Sequence, residues 1–231
     1  MVYLFVDNKL TGYNTINGTV ISFADLPKPT NHQTQFAFSL GSKAYVGTYG
    51  GSPLSNNFYE YNSQDNTWSS KASMPITLYA SVAIGVNGKG YVGIGSKTIA
   101  GFTYRTGDFF EYDPLNDNWI TKNSGAGASN ATIASIDNQS IFLYPGTAWV
   151  NNVGNFGALY KYDISINTWT IEKDYLGGNR SYAFGFHYDG KIYVGGGDDG
   201  YPRSDTWEYT IATNTWLRKT DMPSNNYTQQ A

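Results

Sequence analysis

A tyrosine followed seven residues later by a tryptophan recurs four times in this chain: Tyr61 and Trp68, Tyr112 and Trp119, Tyr162 and Trp169, Tyr209 and Trp216. The segments read YNSQDNTW, YDPLNDNW, YDISINTW and YTIATNTW, and successive tryptophans lie 51, 50 and 47 residues apart. A period of that size marks one supersecondary unit copied along the chain, with neighbouring copies burying each other's apolar faces. A weaker copy comes first, YNTINGTV, with Val20 in the tryptophan place.

Within each unit the signals are those of short strands. The Tyr–Trp segment joins an aromatic strand (NFYEY at 57–61, DFFEY at 108–112) to a strand that begins near the tryptophan. The Asn, Asp, Ser and Pro between them favour a turn. Upstream lies a second strand pair: 34–40 with 44–49, 80–86 with 90–94, 131–136 with 140–144, and 182–188 with 191–195. Asn87-Gly88 and Asp189-Gly190 are hairpin turns, because both positions tolerate φ > 0. No segment shows a persuasive helical period. Charged residues are only 14%, while Gly (26) and Tyr (20) are abundant, as many short strands with Gly/Asn turns require.

Four antiparallel strands cannot bury both faces of their own sheet. Sheets stacked face to face around an axis can. The expected fold is therefore all-β, a β-propeller of four-stranded antiparallel blades filling residues 1–231 as one domain. Small apolar inner strands (ASVAIG, ATIASI) crowd the axis, and the tryptophans fill the wider outer gaps. Full blades are expected at 31–75, 76–122, 123–174 and 175–223, with a partial blade at 1–27. If the tail, 224–231, pairs beside 2–6, the ring closes at five blades; otherwise the chain is a fragment of a propeller with six or seven.

Hydrophobic strand, Gly-Gly, Tyr, Trp and Met-Pro in that order resemble the kelch repeat. The best copy is 180–223, with Arg180 in the family's arginine place, YVGG at 193–196, WEY at 207–209, Trp216 and Met222-Pro223. The copy at 76–119 keeps YVG, EYDP and Trp119 but has Leu78 in the arginine place, and the copy at 129–169 lacks the Gly-Gly. The resemblance implies the propeller and leaves the function open, since kelch propellers serve many roles. Some are copper-radical oxidases, which need a cysteine-crosslinked tyrosine and several histidines; this chain has no cysteine and two histidines. Others rearrange sialic acid without a metal.

A net charge of −3 with no basic stripe gives no reason to expect nucleic acid as a partner. No apolar run is long enough for a transmembrane helix. Function is expected on the loops gathered at one end of the propeller: 50–57, 95–107, 145–157 and 196–205, with the inter-blade segments 28–33, 76–79, 123–130 and 175–181. Candidate ligand or partner contacts are Arg180, Trp149, His32, Tyr182 and Tyr201. Arg180 suits an anion or a sugar, or else a structural role on loop carbonyls. Trp149 lies outside the repeat pattern. Asp198, Asp199 and Asp205 are weak calcium candidates, since the EF-hand spacing is absent; Asp205 can alternatively pair with Arg203. No catalytic residue and no cofactor are expected.

The leading expectation is a non-enzymatic scaffold that recognises a protein or a glycan through the loop face. The alternatives are a carbohydrate-active enzyme of the sialic-acid-rearranging kelch type, or a structural segment of a larger protein that supplies further blades. The Asn/Tyr/Gly-rich surface suits an extracellular or cell-surface module more than a cytoplasmic one.

Overall fold

The strand pairs read from the sequence form the sheets of a computed structural model, which describes residues 2–6, 9–29, 31–51, 56–125, 131–135, 138–144, 146 and 157–223. A first sheet holds β1 (Val2–Val6), β2 (Lys9–Tyr13) and β3 (Val20–Ser22). Blade I holds β4 (His32–Leu40), β5 (Lys43–Gly50), β6 (Phe58–Asn62) and β7 (Thr67–Lys71). Blade II holds β8 (Val82–Val86), β9 (Lys89–Ile99), β10 (Phe102–Asp113) and β11 (Asn118–Lys122). Blade III holds β12 (Thr132–Ser135), β13 (Ser140–Tyr144), β14 (Ala158–Asp163) and β15 (Thr168–Asp174). Blade IV holds β16 (Phe184–Tyr188), β17 (Lys191–Gly195), β18 (Thr206–Thr210) and β19 (Thr215–Arg218). Each sheet is an antiparallel meander in chain order.

The blade count corrects the sequence expectation. Among the described residues the complete four-stranded sheets number four, so the fold is an all-β propeller with four four-stranded blades, rather than the five, six or seven expected. A fifth blade needed the tail as a fourth strand beside β1. Among the described residues β1 pairs with β2 alone, and the tail lies outside them.

The inner strands stand against one another: β4 on β8, β8 on β12, and β12 on β16. Their approach is close enough to demand glycine. A Cβ at Gly85 of β8 would overlap the backbone carbonyl of Ser39 on β4, and one at Gly90 would enter the Phe38 ring of the preceding blade.

One latch repeats between the sheets. The indole N–H of Trp68 donates to the Ala24 carbonyl at 2.8 Å, that of Trp119 to Ala72 at 2.7 Å, and that of Trp169 to Asn123 at 3.0 Å. Two residues before each tryptophan sits Asn66, Asp117 or Asn167, with φ of 58°, 49° and 54°. The side-chain oxygen of each accepts the hydroxyl of the repeat tyrosine (Tyr61, Tyr112, Tyr162) and the amide of that same preceding-sheet residue. Asn and Asp tolerate left-handed backbone, and their short side chains reach the neighbouring strand. In blades I to III the repeat tyrosine, the left-handed Asn or Asp and the tryptophan thus join one sheet to the next, whereas in blade IV Asn214 takes the Tyr209 hydroxyl at 3.3 Å but the buried Trp216 indole N–H has no partner among the described residues. Around the latch the aromatics pack in the gaps, Phe58 against Tyr112 at 4.8 Å and Phe109 against Tyr162 at 5.1 Å.

Candidate functional site

On the loop face, residues 95–107 form no irregular loop. They extend β9 and β10 as a hairpin past the rest of the blade, turning at Ala100 and Gly101 with φ of 51° and 82°. The hairpin carries Ile99, Phe102 and Tyr104 exposed to solvent. A β-bulge between Thr106 and Phe109 sets its base, where Lys97 and Asp108 pair at 2.6 Å.

Ser96 of β9 bridges Tyr79 on one side and opposes Arg105 on the other, so Tyr79, Ser96 and Arg105 share one face of the sheet, and Thr103 joins them two residues along β10. Tyr79 donates its hydroxyl to Thr103 Oγ1 at 2.7 Å and rests its ring 5.5 Å from that of Tyr49 on blade I. Arg105 stands apart from the other arginines. Arg180 pairs with Asp205, Arg203 with Asp199 and Arg218 with Asp221. Among the described residues Arg105 has no ion pair, and its buried Nη1 has no hydrogen-bond partner. Burial lowers the guanidinium's pKa from its ordinary value with no acid to offset it, and it stays charged. Ser81, two residues beyond Tyr79, likewise keeps a buried hydroxyl without a partner. A partly buried cation beside tyrosine rings and hydroxyls is suited to an anionic, hydroxyl-rich ligand.

The residues picked from the sequence lie elsewhere. Arg180 is buried with both terminal nitrogens engaged: Nη1 donates to the Gly196 carbonyl at 3.0 Å and to Asp205 Oδ1 at 2.5 Å, and Nη2 to Asp205 Oδ2 at 3.0 Å and to the Gly177 carbonyl, while its buried Nε has no hydrogen-bond partner among the described residues. Its guanidinium also lies over the Tyr175 ring. His32 is buried beside Thr48, 3.4 Å from its hydroxyl. Tyr182 is exposed with φ of 59°, and Tyr201 is exposed. No described contact joins Arg180, Tyr182 and His32. Trp149 lies outside the described residues.

The three aspartates do not converge either. Asp198 caps the Gly200 amide, Asp199 holds Arg203 at 2.6 Å, and Asp205 holds Arg180. The alternative of an Asp205–Arg203 pair is therefore corrected: the buried guanidinium takes Asp205, and Arg203 takes the exposed acid four residues away. Among the described residues no group of acids or histidines is arranged to hold a metal. Asp108 occupies the place in blade II that Asp205 occupies in blade IV, and with Leu78 in the arginine place it turns to Lys97. Sequence reasoning missed Arg105 because residues 95–107 read as one of the loops at the end of the propeller, where Arg105 holds no place in the repeat.

A family model described as the Kelch motif matches residues 180–223. Kelch-like protein 25 of Xenopus tropicalis is 26% identical over 211 residues, 88% of this chain and 35% of that protein. This chain is a kelch-motif-bearing β-propeller, related to kelch-like proteins. The kelch propeller spans about a third of the length of that relative. The solved structure of YjhT matches it with a TM-score of 0.71 at 13% identity, over 99% of this chain and 85% of that one, which establishes a shared fold.

The expectation of a non-enzymatic scaffold, and with it the preference for no enzymatic activity, rested on architecture alone and is corrected by this likeness: an architecture shared with YjhT over 99% of this chain and 85% of that one does not set the chain apart as a scaffold. Protein- or carbohydrate-binding character is consistent with the kelch relationship. No helix among the described residues is long and apolar enough to cross a membrane.

Proposed function

We propose that this kelch propeller is a carbohydrate-active enzyme of the sialic-acid-rearranging type, which binds an acidic sugar on its loop face. The observation that carries this reading is the unpaired guanidinium of Arg105 on the sheet face that also holds Tyr79, Ser96 and Thr103. The guanidinium fork matches a carboxylate, the ring of Tyr79 offers a stacking surface, and the hydroxyls suit the polar rim of a sugar. Interconversion of the sugar's anomers moves one proton from the anomeric hydroxyl to the ring oxygen as the ring C–O bond breaks. Reclosure on the other face returns it, so no co-reactant is consumed.

The test follows the approach of pure β-N-acetylneuraminic acid to its anomeric equilibrium by proton NMR. The rate should rise in proportion to added protein. Arg105→Ala should lower the acceleration about 10- to 100-fold, the loss expected for one charge-assisted hydrogen bond. Identical rates with and without the protein would refute the proposal.

A further inference from the structure

Interconverting the anomers needs one group to take the anomeric proton and another to give a proton to the ring oxygen. The acid nearest to Arg105 along the chain, Asp108, is held by Lys97 at 2.6 Å. The chain's two histidines lie on other blades, His32 on β4 and His187 on β16. The Arg105 guanidinium stays charged and yields no proton. The groups beside it that can both take and give a proton are hydroxyls.

Two of these are already joined. Tyr79 donates its hydroxyl to Thr103 Oγ1 at 2.7 Å. A threonine oxygen that accepts one proton still has its own to donate, and the phenol oxygen keeps lone pairs to accept another. The pair therefore offers an acceptor, Tyr79 Oη, next to a donor, the Thr103 O–H. Both members sit on fixed backbone. Tyr79 and Ser96 exchange two backbone hydrogen bonds, at 2.9 and 2.8 Å, and the Tyr79 ring rests on Tyr49. Thr103 opposes Thr98 in the β9–β10 ladder and stands two residues from Arg105 on the same face, about 7 Å along the strand.

The geometry points to Tyr79 and Thr103 as the catalytic proton relay of this reaction, an inference that rests on the acidic-sugar reading of the site. N-Acetylneuraminic acid carries its carboxylate on the anomeric carbon itself. Seating that carboxylate at Arg105 brings the anomeric hydroxyl and the ring oxygen to the relay together, and two oxygens on one carbon are spaced much as the two relay oxygens are. The anomeric O–H passes its proton to Tyr79, Tyr79 passes its own to Thr103, and Thr103 passes its own to the ring oxygen. The ring C–O bond breaks as the anomeric C–O becomes a carbonyl. Closure on the opposite carbonyl face runs the three transfers in reverse. Each hydroxyl ends as it began, and no net charge forms on either.

The test measures kcat and KM for anomerisation of β-N-acetylneuraminic acid by proton NMR, for the native protein and for Tyr79→Phe, Thr103→Val and Thr103→Ser. Tyr79→Phe keeps the ring on Tyr49 and removes only the hydroxyl. It and Thr103→Val should each lower kcat about 100-fold with KM unchanged. The double variant should be no slower than either single one, because the two hydroxyls act as a unit. Thr103→Ser, which restores the hydroxyl, should recover the native kcat. A native kcat in Tyr79→Phe, or a loss confined to KM, would overturn the relay while leaving the sugar reading intact. A native protein that accelerates nothing would end both.

Discussion

Asp117 accepts the backbone N–H of Ala72 at 3.0 Å across the gap between blades I and II. The same oxygen takes the Tyr112 hydroxyl at 2.7 Å. One carboxylate thus ties the repeat tyrosine of its own blade to the exit strand of the blade before. Asp117→Ala removes both bonds and forces alanine into left-handed backbone. It should destabilise the protein by about 2–4 kcal/mol, whereas Asp117→Asn, which keeps the oxygen and tolerates the backbone, should cost less than about 1 kcal/mol. Urea denaturation of the two variants checks the difference.

The pair Arg180–Asp205 is a structural feature of blade IV, not a ligand site. Arg180→Ala strands the Asp205 carboxylate against Trp207, whose indole N–H is 2.7 Å away, and empties a slot lined by two carbonyls. Removing one partner of a buried pair costs about 3–5 kcal/mol. Chemical denaturation should show that loss, while sugar binding per folded molecule should be unchanged.

Acid should loosen blade IV progressively, over a window that reaches below the range in which ordinary carboxylates titrate. The hydrogen bond from Lys191 is the largest influence on Glu208, and with those from Tyr193 and Lys219 it holds the pKa down to about 2 from an ordinary 4.5. A depressed folded-state value means that the stabilisation is complete above about 4.5 and is lost as pH falls toward about 2. Thermal melts across that window should fall more steeply for the native protein than for Glu208→Gln.

Gly85→Ala tests how tightly the inner strands meet. The added methyl would collide with the Ser39 carbonyl, and backbone cannot swing aside as a side chain can. The expected cost is about 1–3 kcal/mol, read by thermal unfolding, with Gly88→Ala at the open hairpin turn compared as a site where strain comes from φ alone.

Most of the architecture was legible because it is written in a repeat. The Tyr–Trp spacing, Asn87-Gly88 and Asp189-Gly190 gave the strands and their pairing, and Trp68, Trp119 and Trp169 do occupy equivalent inter-sheet places. The blade count was not legible, because it depends on whether a strand pairs beside β1, and sheet edges leave little trace in local sequence. The site was harder. Arg180 drew attention through its place in the repeat, yet its partner Asp205 is twenty-five residues away and its burial is a tertiary fact. Arg105 lies within 95–107, which reads as a loop, and only the extended pairing of β9 with β10 brings it onto the face that holds Tyr79 and Ser96. The 96–106 hairpin could have been found from Ala100-Gly101 between Ile99 and Phe102, a turn flanked by strand-forming residues.

The most direct measurement records the side-chain Nε–Hε signals of the four arginines by NMR while N-acetylneuraminic acid is added. The Arg105 signal should move and saturate, with Arg180, Arg203 and Arg218 unmoved. A shift confined to any of those three, or no shift at all, would contradict the account.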